Sequence, residues 1–439
     1  MGGIGQLHQQ VTIGTLPDDV LLKIFKLFID ALDFYHYVFE KWRTLVHICR
    51  RWRNLAFRYP RHLNLELLFR PSKRSVKEML DIWPELPIYI WAFDYKTMDT
   101  SDNVSAALRL NHRVSGIRFD VPPDSAWETF APLMQRPFPA LTDLWVRPYL
   151  PFKNALSRSF LGGSAPRLQD LHLIKVPFPV LPELLLSSTN LVRLWYDYIP
   201  PAGYISPQAM VTYLSALTRL ESLSLTFLTS LPLPDSAIRI PSLYTRILLR
   251  TLTYLRLRGD PEYVEVLVAQ IDAPSLESME IALFHERVLE VPQLEKFVCR
   301  ADKLSLLDRA KVTFEYDRIS VLLSRELERE VDPKTLWLYL SCPESVLQLS
   351  YLAQFCASCL PTLSPFESLH IRVPFYNRWE DFIEDPDPQW LELLRLFNTV
   401  KKLYLSKIVA ARVAPGLRGH LAERVMAVLP ALEDVFILT

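Results

Sequence analysis

One short pattern, apolar-x-x-apolar-x-apolar, returns through most of the chain and limits what it can fold into. It begins as VSGIRF at 114. It returns as LTDLWV at 141, LQDLHL at 168, LVRLWY at 191, LESLSL at 220, LTYLRL at 252, LESMEI at 276, LEKFVC at 294, FESLHI at 366, VKKLYL at 400 and LEDVFI at 432. TLWLYL at 335 fits in an ambiguous register, and KVTFEY at 311 reads as a further strand. Successive starts from 114 to 294 lie 27, 27, 23, 29, 32, 24 and 18 residues apart, and the last two intervals are 34 and 32. Each copy reads as a short strand whose first, fourth and sixth residues point inward. Segments such as VTYLSALTRL and WLELLRLF read as helices that return the chain. No copy buries its own apolar face, so the copies must stack on one another to make a core.

This array resembles a degenerate leucine-rich repeat. The resemblance implies an α/β solenoid over 85–439, with parallel strands on the concave side and helices and loops on the convex side. Well-formed repeats carry Asn or Cys at the ninth position. Here that place holds Tyr149, Val176, Ile199, Leu228, Asp260, Phe284, Asp302, Pro374 and Ile408, so the expected solenoid is irregular in curvature. A doubly wound α/β domain is the alternative, because strands alternating with helices also build that fold.

In such a strand the third, fifth and seventh residues face outward, and neighbouring strands about 4.8 Å apart stack them into rows. The fifth-position row runs Arg118, Trp145, His172, Trp195, Ser224, Arg256, Glu280 and Val298, then His370, Tyr404 and Phe436. Large rings on an outward row call for a cover, and Trp, Tyr and Arg anchor interfaces. Trp145, His172, Trp195, Arg256 and Tyr404 are therefore the expected target-binding residues. Asp143, Arg147, Arg193 and Asp197 are expected to form a charged rim around the first three. The competing expectation is that a loop or tail of the same chain covers the rings.

Composition narrows the function. Forty-nine basic residues balance forty-nine acidic ones, which argues against binding nucleic acid by broad phosphate neutralisation. No apolar run reaches the roughly 18 residues that span a bilayer, and no signal-peptide core opens the sequence. The expectation is an intracellular protein, cytoplasmic or nuclear, with no membrane partner. Five scattered cysteines fit reduced thiols. Glycine is scarce (11) and proline abundant (34), and no phosphate-cradling glycine loop or nucleophile elbow is present. Cys356 and Cys359 form a lone CxxC, imaginable as a zinc site with Cys342 and His370. Without a second pair, on a helix-like segment, they read as packing residues, and no metal or cofactor is expected. Glu380, Asp381, Glu384, Asp385 and Asp387 are broken by Pro386 and read as an exposed loop, not as catalytic carboxylates. No enzyme is expected.

The N-terminus differs from the repeats. After residues 1–14, expected to be disordered, TLPDDVLLKIFKLF at 15–28 reads as an amphipathic helix. Thr15 is the expected N-cap, Pro17 and Asp18 suit the first turn, and Val20, Leu21, Ile24, Phe25 and Phe28 form the stripe. KWRTLVHICRRWRNLAFRYP at 41–60 reads as a second helix ended by Pro60. Its CRRWR run, which resembles a localisation or phosphate-binding patch, reads as a solvated face. Together the segments resemble an F-box. The matching residues are Leu16, Pro17, Val20, Leu21, Ile24 and Phe25, then Leu45, Ile48, Cys49, Trp52, Arg53 and Leu55. The connection at 29–42 is longer than is usual in that family, and rich in aromatic residues. The resemblance covers 15–65, with 66–84 expected as a linker helix.

The resemblance implies a Skp-type adaptor as partner and, through it, a cullin ubiquitin ligase. Leu16, Pro17, Val20, Leu21, Ile24, Phe25, Leu45, Cys49, Trp52 and Leu55 would meet the adaptor. The repeats would hold an unknown target protein. The rival reading is a repeat scaffold for protein partners with no link to ubiquitin.

Overall fold

The computed structural model describes residues 13–30, 41–70, 75–92, 98–120, 124–149, 152, 155–230, 246–284, 291–325, 334–342, 345–359, 366–373, 388–410 and 428–438. The 31–40 part of the aromatic-rich connection, the acidic stretch 380–387 and the N-terminal residues 1–12 lie outside these. The chain divides into two compact units, Met1–Asp143 and Leu144–Thr439. The boundaries read from sequence, at 65 and 85, both fall inside the first.

In the first unit, α1 (Asp18–Asp30) opens with Asp18 and Asp19 beside its positive end. Thr15 sits in a short 3₁₀ turn, and it is the Pro17 carbonyl that accepts the first helical bond, from Leu21 N–H at 3.0 Å. The expected second helix is two helices, α2 (Lys41–Ile48) and α3 (Arg50–Arg58), parted by extended backbone at Cys49. Arg53 holds the break, its Nε donating to the Val46 carbonyl at 2.8 Å in the last turn of α2. Leu21 and Phe25 of α1 pack on α3, where the Phe25 and Trp52 rings lie 4.8 Å apart.

Residues 66–84, expected as a linker helix, open as a strand, β1 (Leu67–Phe69), before α4 (Val76–Ile82). Leu67, Leu68 and Phe69 are all buried, and three consecutive buried apolar residues suit a strand covered on both faces better than a helix face. Then follow β2 (Ile88–Ala92), α5 (Met98–Leu108), β3 (Val114–Asp120) and α6 (Asp124–Phe130), with β1–β2 and β2–β3 parallel. Trp42 of α2 ties helices to strand: its indole N–H donates to the Glu66 carbonyl at 2.9 Å, and its ring meets Trp83 edge-on.

In the second unit the chain runs β4 (Asp143–Arg147), β5 (Asp170–Ile174), α7 (Leu181–Ser187), β6 (Arg193–Ile199), α8 (Pro207–Leu214), β7 (Ser222–Phe227), β8 (Ile247–Leu248), β9 (Tyr254–Gly259), α9 (Pro261–Ala269), β10 (Ile271–Asp272) and β11 (Ser278–Leu283). It continues α10 (Pro292–Cys299), β12 (Arg309–Phe314), β13 (Arg318–Ser324), β14 (Thr335–Ser341), α11 (Ser345–Cys359), β15 (Ser368–Arg372), α12 (Pro388–Arg395), β16 (Lys402–Ser406) and β17 (Asp434–Leu438). The result is α/β with a large, mostly parallel sheet, in the order β4-β5-β6-β7-β9-β11-β14-β13-β12-β15-β16-β17. β8 and β10 form a separate parallel pair.

The repeating positions fill the core as the pattern demands. Leu168, Leu171 and Leu173, and Leu252, Leu255 and Leu257, are all buried, as are the matching residues of the strands between them. Tyr196 takes an inward place in β6. Its hydroxyl donates to the Gly203 carbonyl and accepts from Phe178 N–H, both at 3.0 Å. A methyl at Gly203 would stand 2.3 Å from that hydroxyl.

Two departures from the expected array are clear. LEKFVC at 294 is helix α10, not a strand, so Val298 leaves the outward row and is buried. Its apolar residues Leu294, Phe297, Val298 and Ala301 step by three and four, whereas the true strands keep the fifth place outward and the sixth inward. Second, strand order inverts after β11. The chain passes to β12, turns back through β13, antiparallel to both neighbours, and reaches β14 beside β11. β12 is parallel to β15, so the array resumes beyond the insertion. TLWLYL settles its register in β14, with Leu336, Leu338 and Leu340 inward. RISVLLS carries none of the repeat spacing, which hid β13. Among the described residues no helix is long and apolar enough to cross a membrane, and no group of three metal-ligating side chains occurs. Cys342 and Cys356 are buried.

Candidate functional site

Two surfaces collect the residues singled out in the sequence, one in each unit. The first is α1. Leu21, Phe25 and Ile29 turn into the unit, and Leu45, Trp52 and Leu55 join them in its core. Leu21 and Phe25 are 0% exposed, so in the chain by itself they fill the core of the module, whereas the sequence pattern places them among the residues that meet a partner. The outward side of the same helix is apolar too. Leu27 is 69% and Phe28 41% exposed, Ile24 and Val20 are half-buried, and Pro17 is exposed. Pro17, Val20, Ile24, Leu27 and Phe28 step by three and four along one side of the helix. Ile48, at the end of α2, is 55% exposed, and Cys49 is exposed. Leu16 is half-buried. Arg51 on α3 donates both to its carbonyl at 2.6 Å and to the Asp18 carboxylate at 2.7 Å, fixing how α1 begins. Leu27 was missed in the sequence; its place three residues after Ile24 and seven after Val20 was the available signal.

The second surface is the strand face of the second unit. Strand pairing aligns His172, Trp195, Ser224, Arg256 and Glu280 in one row, as the repeat spacing requires. Beyond Glu280 the row continues through Trp337, Leu322 and Lys311 to His370, Tyr404 and Phe436. Trp337, Leu322 and Lys311 went unrecognised because the antiparallel insertion was not legible. The Trp145 ring stacks on His172 at 4.4 Å and 17°, and His172 meets Trp195 at 4.7 Å. Trp145 and Trp195 are half-buried and His172 is buried between them. The rings thus cover one another, and the two indoles still present their outer surfaces.

The expected charged rim is partly corrected. Arg147 and Arg193 are exposed, and Arg193 pairs with the largely buried Asp170. Asp197 stays on the strand face but is buried there, its carboxylate accepting from Ser224 at 2.6 Å and Thr226 at 3.1 Å on the outward side of β7. The pairing irregularity, with Tyr198 at φ 50, follows Asp197 at the end of β6. Burial pushes the Asp197 carboxyl above the usual range, against the opposing pull of Ser224 and Arg256.

Arg256 pairs with Glu280 at 3.1 Å, and the Tyr254 hydroxyl donates to the same carboxylate at 3.3 Å. Trp195 Nε1 donates to the Ser222 hydroxyl at 2.9 Å. In this part of the face Arg256 is matched by an acid, Arg258 packs over the Tyr198 and Phe284 rings, and the indoles stay partly open. Such an arrangement suits protein recognition. No protein-family model matches the chain, and no curated protein matches its sequence.

Proposed function

We propose that the chain is a substrate-recognition subunit of an SCF-type ubiquitin ligase. In this reading α1–α3 act as an F-box that docks a Skp-type adaptor, and the strand face of the second unit holds a target protein. The observation that carries the reading is α1 itself. One apolar stripe of the helix fills its own module, and a second stripe, Pro17, Val20, Ile24, Leu27 and Phe28, faces outward. A small helical module that keeps an apolar side outward fits helix-in-groove association with a partner.

The mechanism is proximity. The adaptor brings the cullin and its ubiquitin-charged enzyme, and the strand face raises the local concentration of the target beside them. The chain contributes binding and no chemistry of its own, so it needs no cofactor.

Co-purification with a Skp-type adaptor tests this. Leu27→Glu with Phe28→Glu should abolish recovery while the melting temperature stays unchanged, because both side chains are exposed. Truncating an anchor typically costs about 2–4 kcal/mol of binding, and placing a charge there costs more. Leu21→Ala with Phe25→Ala cannot serve, because it empties the core. Failure of the unmodified chain to recover adaptor would leave a scaffold unconnected with ubiquitin.

A further inference from the structure

Charges on the strand face are not distributed evenly. Arg193 is matched by Asp170 and Arg256 by Glu280, in each case from an adjacent strand. On β12, β15 and β16 that matching stops. Lys311 stands directly opposite His370, Arg372 lies two residues along from His370 on the same face, and Arg309 lies two residues before Lys311. Lys402 follows on β16, two residues before Tyr404. Among the described residues Lys311, Arg372 and Lys402 have no ion-pair partner, and Arg309 reaches Asp308 at 3.9 Å. Asp434 lies opposite Lys402 in register without pairing with it.

We infer that Lys311, His370 and Arg372, with Arg309 and Lys402 at its edge, form a binding site for one compact anionic group on a target protein, a phosphorylated side chain or two adjoining carboxylates.

The geometry gives the reasons. Cations held diagonally across neighbouring strands repel one another, and like charges so placed destabilise a sheet. Among the described residues no acid pairs with Lys311, Arg372 or Lys402, and Asp308 reaches only the edge of the cluster at Arg309, which fits a surface completed by a ligand. Burial, then Arg372, Lys311 and Arg309, lowers the His370 imidazole to about 4, so at neutral pH it is uncharged amid the cations. Burial and Arg372 also lower the Lys311 ammonium. The His370 ring stacks on Tyr404 at 4.0 Å and Tyr404 on Phe436 at 4.6 Å, giving the charges an apolar flank. Such a flank strengthens an ionic contact by lowering the local dielectric. Arg372 offers the planar fork that grips phosphate or carboxylate at two points.

The site spans three strands, about 10 Å across at ordinary strand spacing, and about 13 Å along them from the level of Arg309 to Arg372. On its inner side Trp337 and Tyr339 stack at 5.3 Å, and the self-matched Arg256–Glu280 pair lies beyond. A nucleic-acid backbone needs a longer continuous positive track than this. A protein segment bearing one dense negative group fits.

The inference rests on the ligase reading only in calling the ligand a target; the site itself is tested without the adaptor. Fluorescence anisotropy of the full chain would use a degenerate peptide pool with a fixed phosphoserine. Matched pools with serine or Glu-Glu at that place, and a single-stranded oligonucleotide, would run beside it. The phosphoserine pool should bind, and inorganic phosphate should displace it. Lys311→Ala with Arg372→Ala should weaken binding at least roughly tenfold, the loss expected when charged hydrogen bonds are removed. The double variant should melt no lower than the unmodified chain, since repulsion is relieved.

Preference for phosphoserine assigns a phosphate, and equal binding of Glu-Glu assigns carboxylates; both support the site. Binding that ignores the negative group, affinity unchanged in the double variant, tighter binding of the oligonucleotide, or no binding by any probe overturns it. Adaptor capture by the unmodified chain separates the two readings: if the chain captures adaptor while no peptide pool binds it, only the anion site falls.

Discussion

Glu265 offers the sharpest test of how neighbouring repeats lock together. It lies on α9 and is largely buried, and its carboxylate accepts from Gln293 N–H at 2.8 Å and Leu294 N–H at 2.7 Å, both in the first turn of α10. The side chain of one return helix thus caps the next. Glu265→Ala leaves two amides without their acceptor, at about 1–3 kcal/mol each, offset in part because it also removes a buried charge that burial penalises. We expect a total loss of about 2–4 kcal/mol. Glu265→Gln keeps one acceptor and should lose roughly half of that.

The sign with pH follows from the carboxyl being pushed above 4.5, mainly by burial and in spite of the two amides. The native state then binds the proton more readily than the unfolded state, so stability from this group rises as pH falls through its native value. The unmodified chain should therefore gain on Glu265→Gln as pH drops from 7 toward 4.5. Urea unfolding gives the stability difference, and hydrogen exchange over 292–299 shows where the loss falls. Alanine and glutamine variants of equal stability, or unchanged exchange in α10, would refute the reasoning.

Gly203→Ala should destabilise by about 1–3 kcal/mol through overpacking against the Tyr196 hydroxyl, and Tyr196→Phe should partly relieve the clash, measured as non-additive melting shifts. Burial raises the Glu66 carboxyl to about 6. Its charge therefore penalises folding above that value, and Glu66→Gln should be more stable than the unmodified chain at pH 7 by at most roughly 2 kcal/mol, with the advantage vanishing near pH 4.5 in urea titrations. Leu194→Ala, in the strand core, should cost about 2–5 kcal/mol by the same measurement.

Most of the strand array was legible because leucine spacing at places one, four and six reflects a single physical demand, a thin strand buried on one side. That demand fixed the row from His172 to Glu280 before any coordinates. It failed at LEKFVC because the same residues satisfy a helical period, and what separates the two readings is whether place five or six is apolar. It failed at RISVLLS because an antiparallel strand entering from a tight turn has no reason to share the spacing. Asp197 keeps its place on the face but is buried, because the Ser224 and Thr226 hydroxyls of the next strand close over its carboxylate, and a pattern read one strand at a time does not encode that. On α1 the stripe was found, but its two sides were merged. Leu21 and Phe25 go inward, and only packing against Trp52 decides which side that is.

Side-chain footprinting of the full chain with and without a Skp-type adaptor tests the central claim most directly. Hydroxyl-radical labelling reports each exposed side chain separately. The account predicts that adaptor protects Pro17, Leu27 and Phe28, while Trp145 and Trp195 label as strongly as before and remain open for a target. No change at α1 in the presence of adaptor, or protection that falls on the strand face in place of α1, would contradict it.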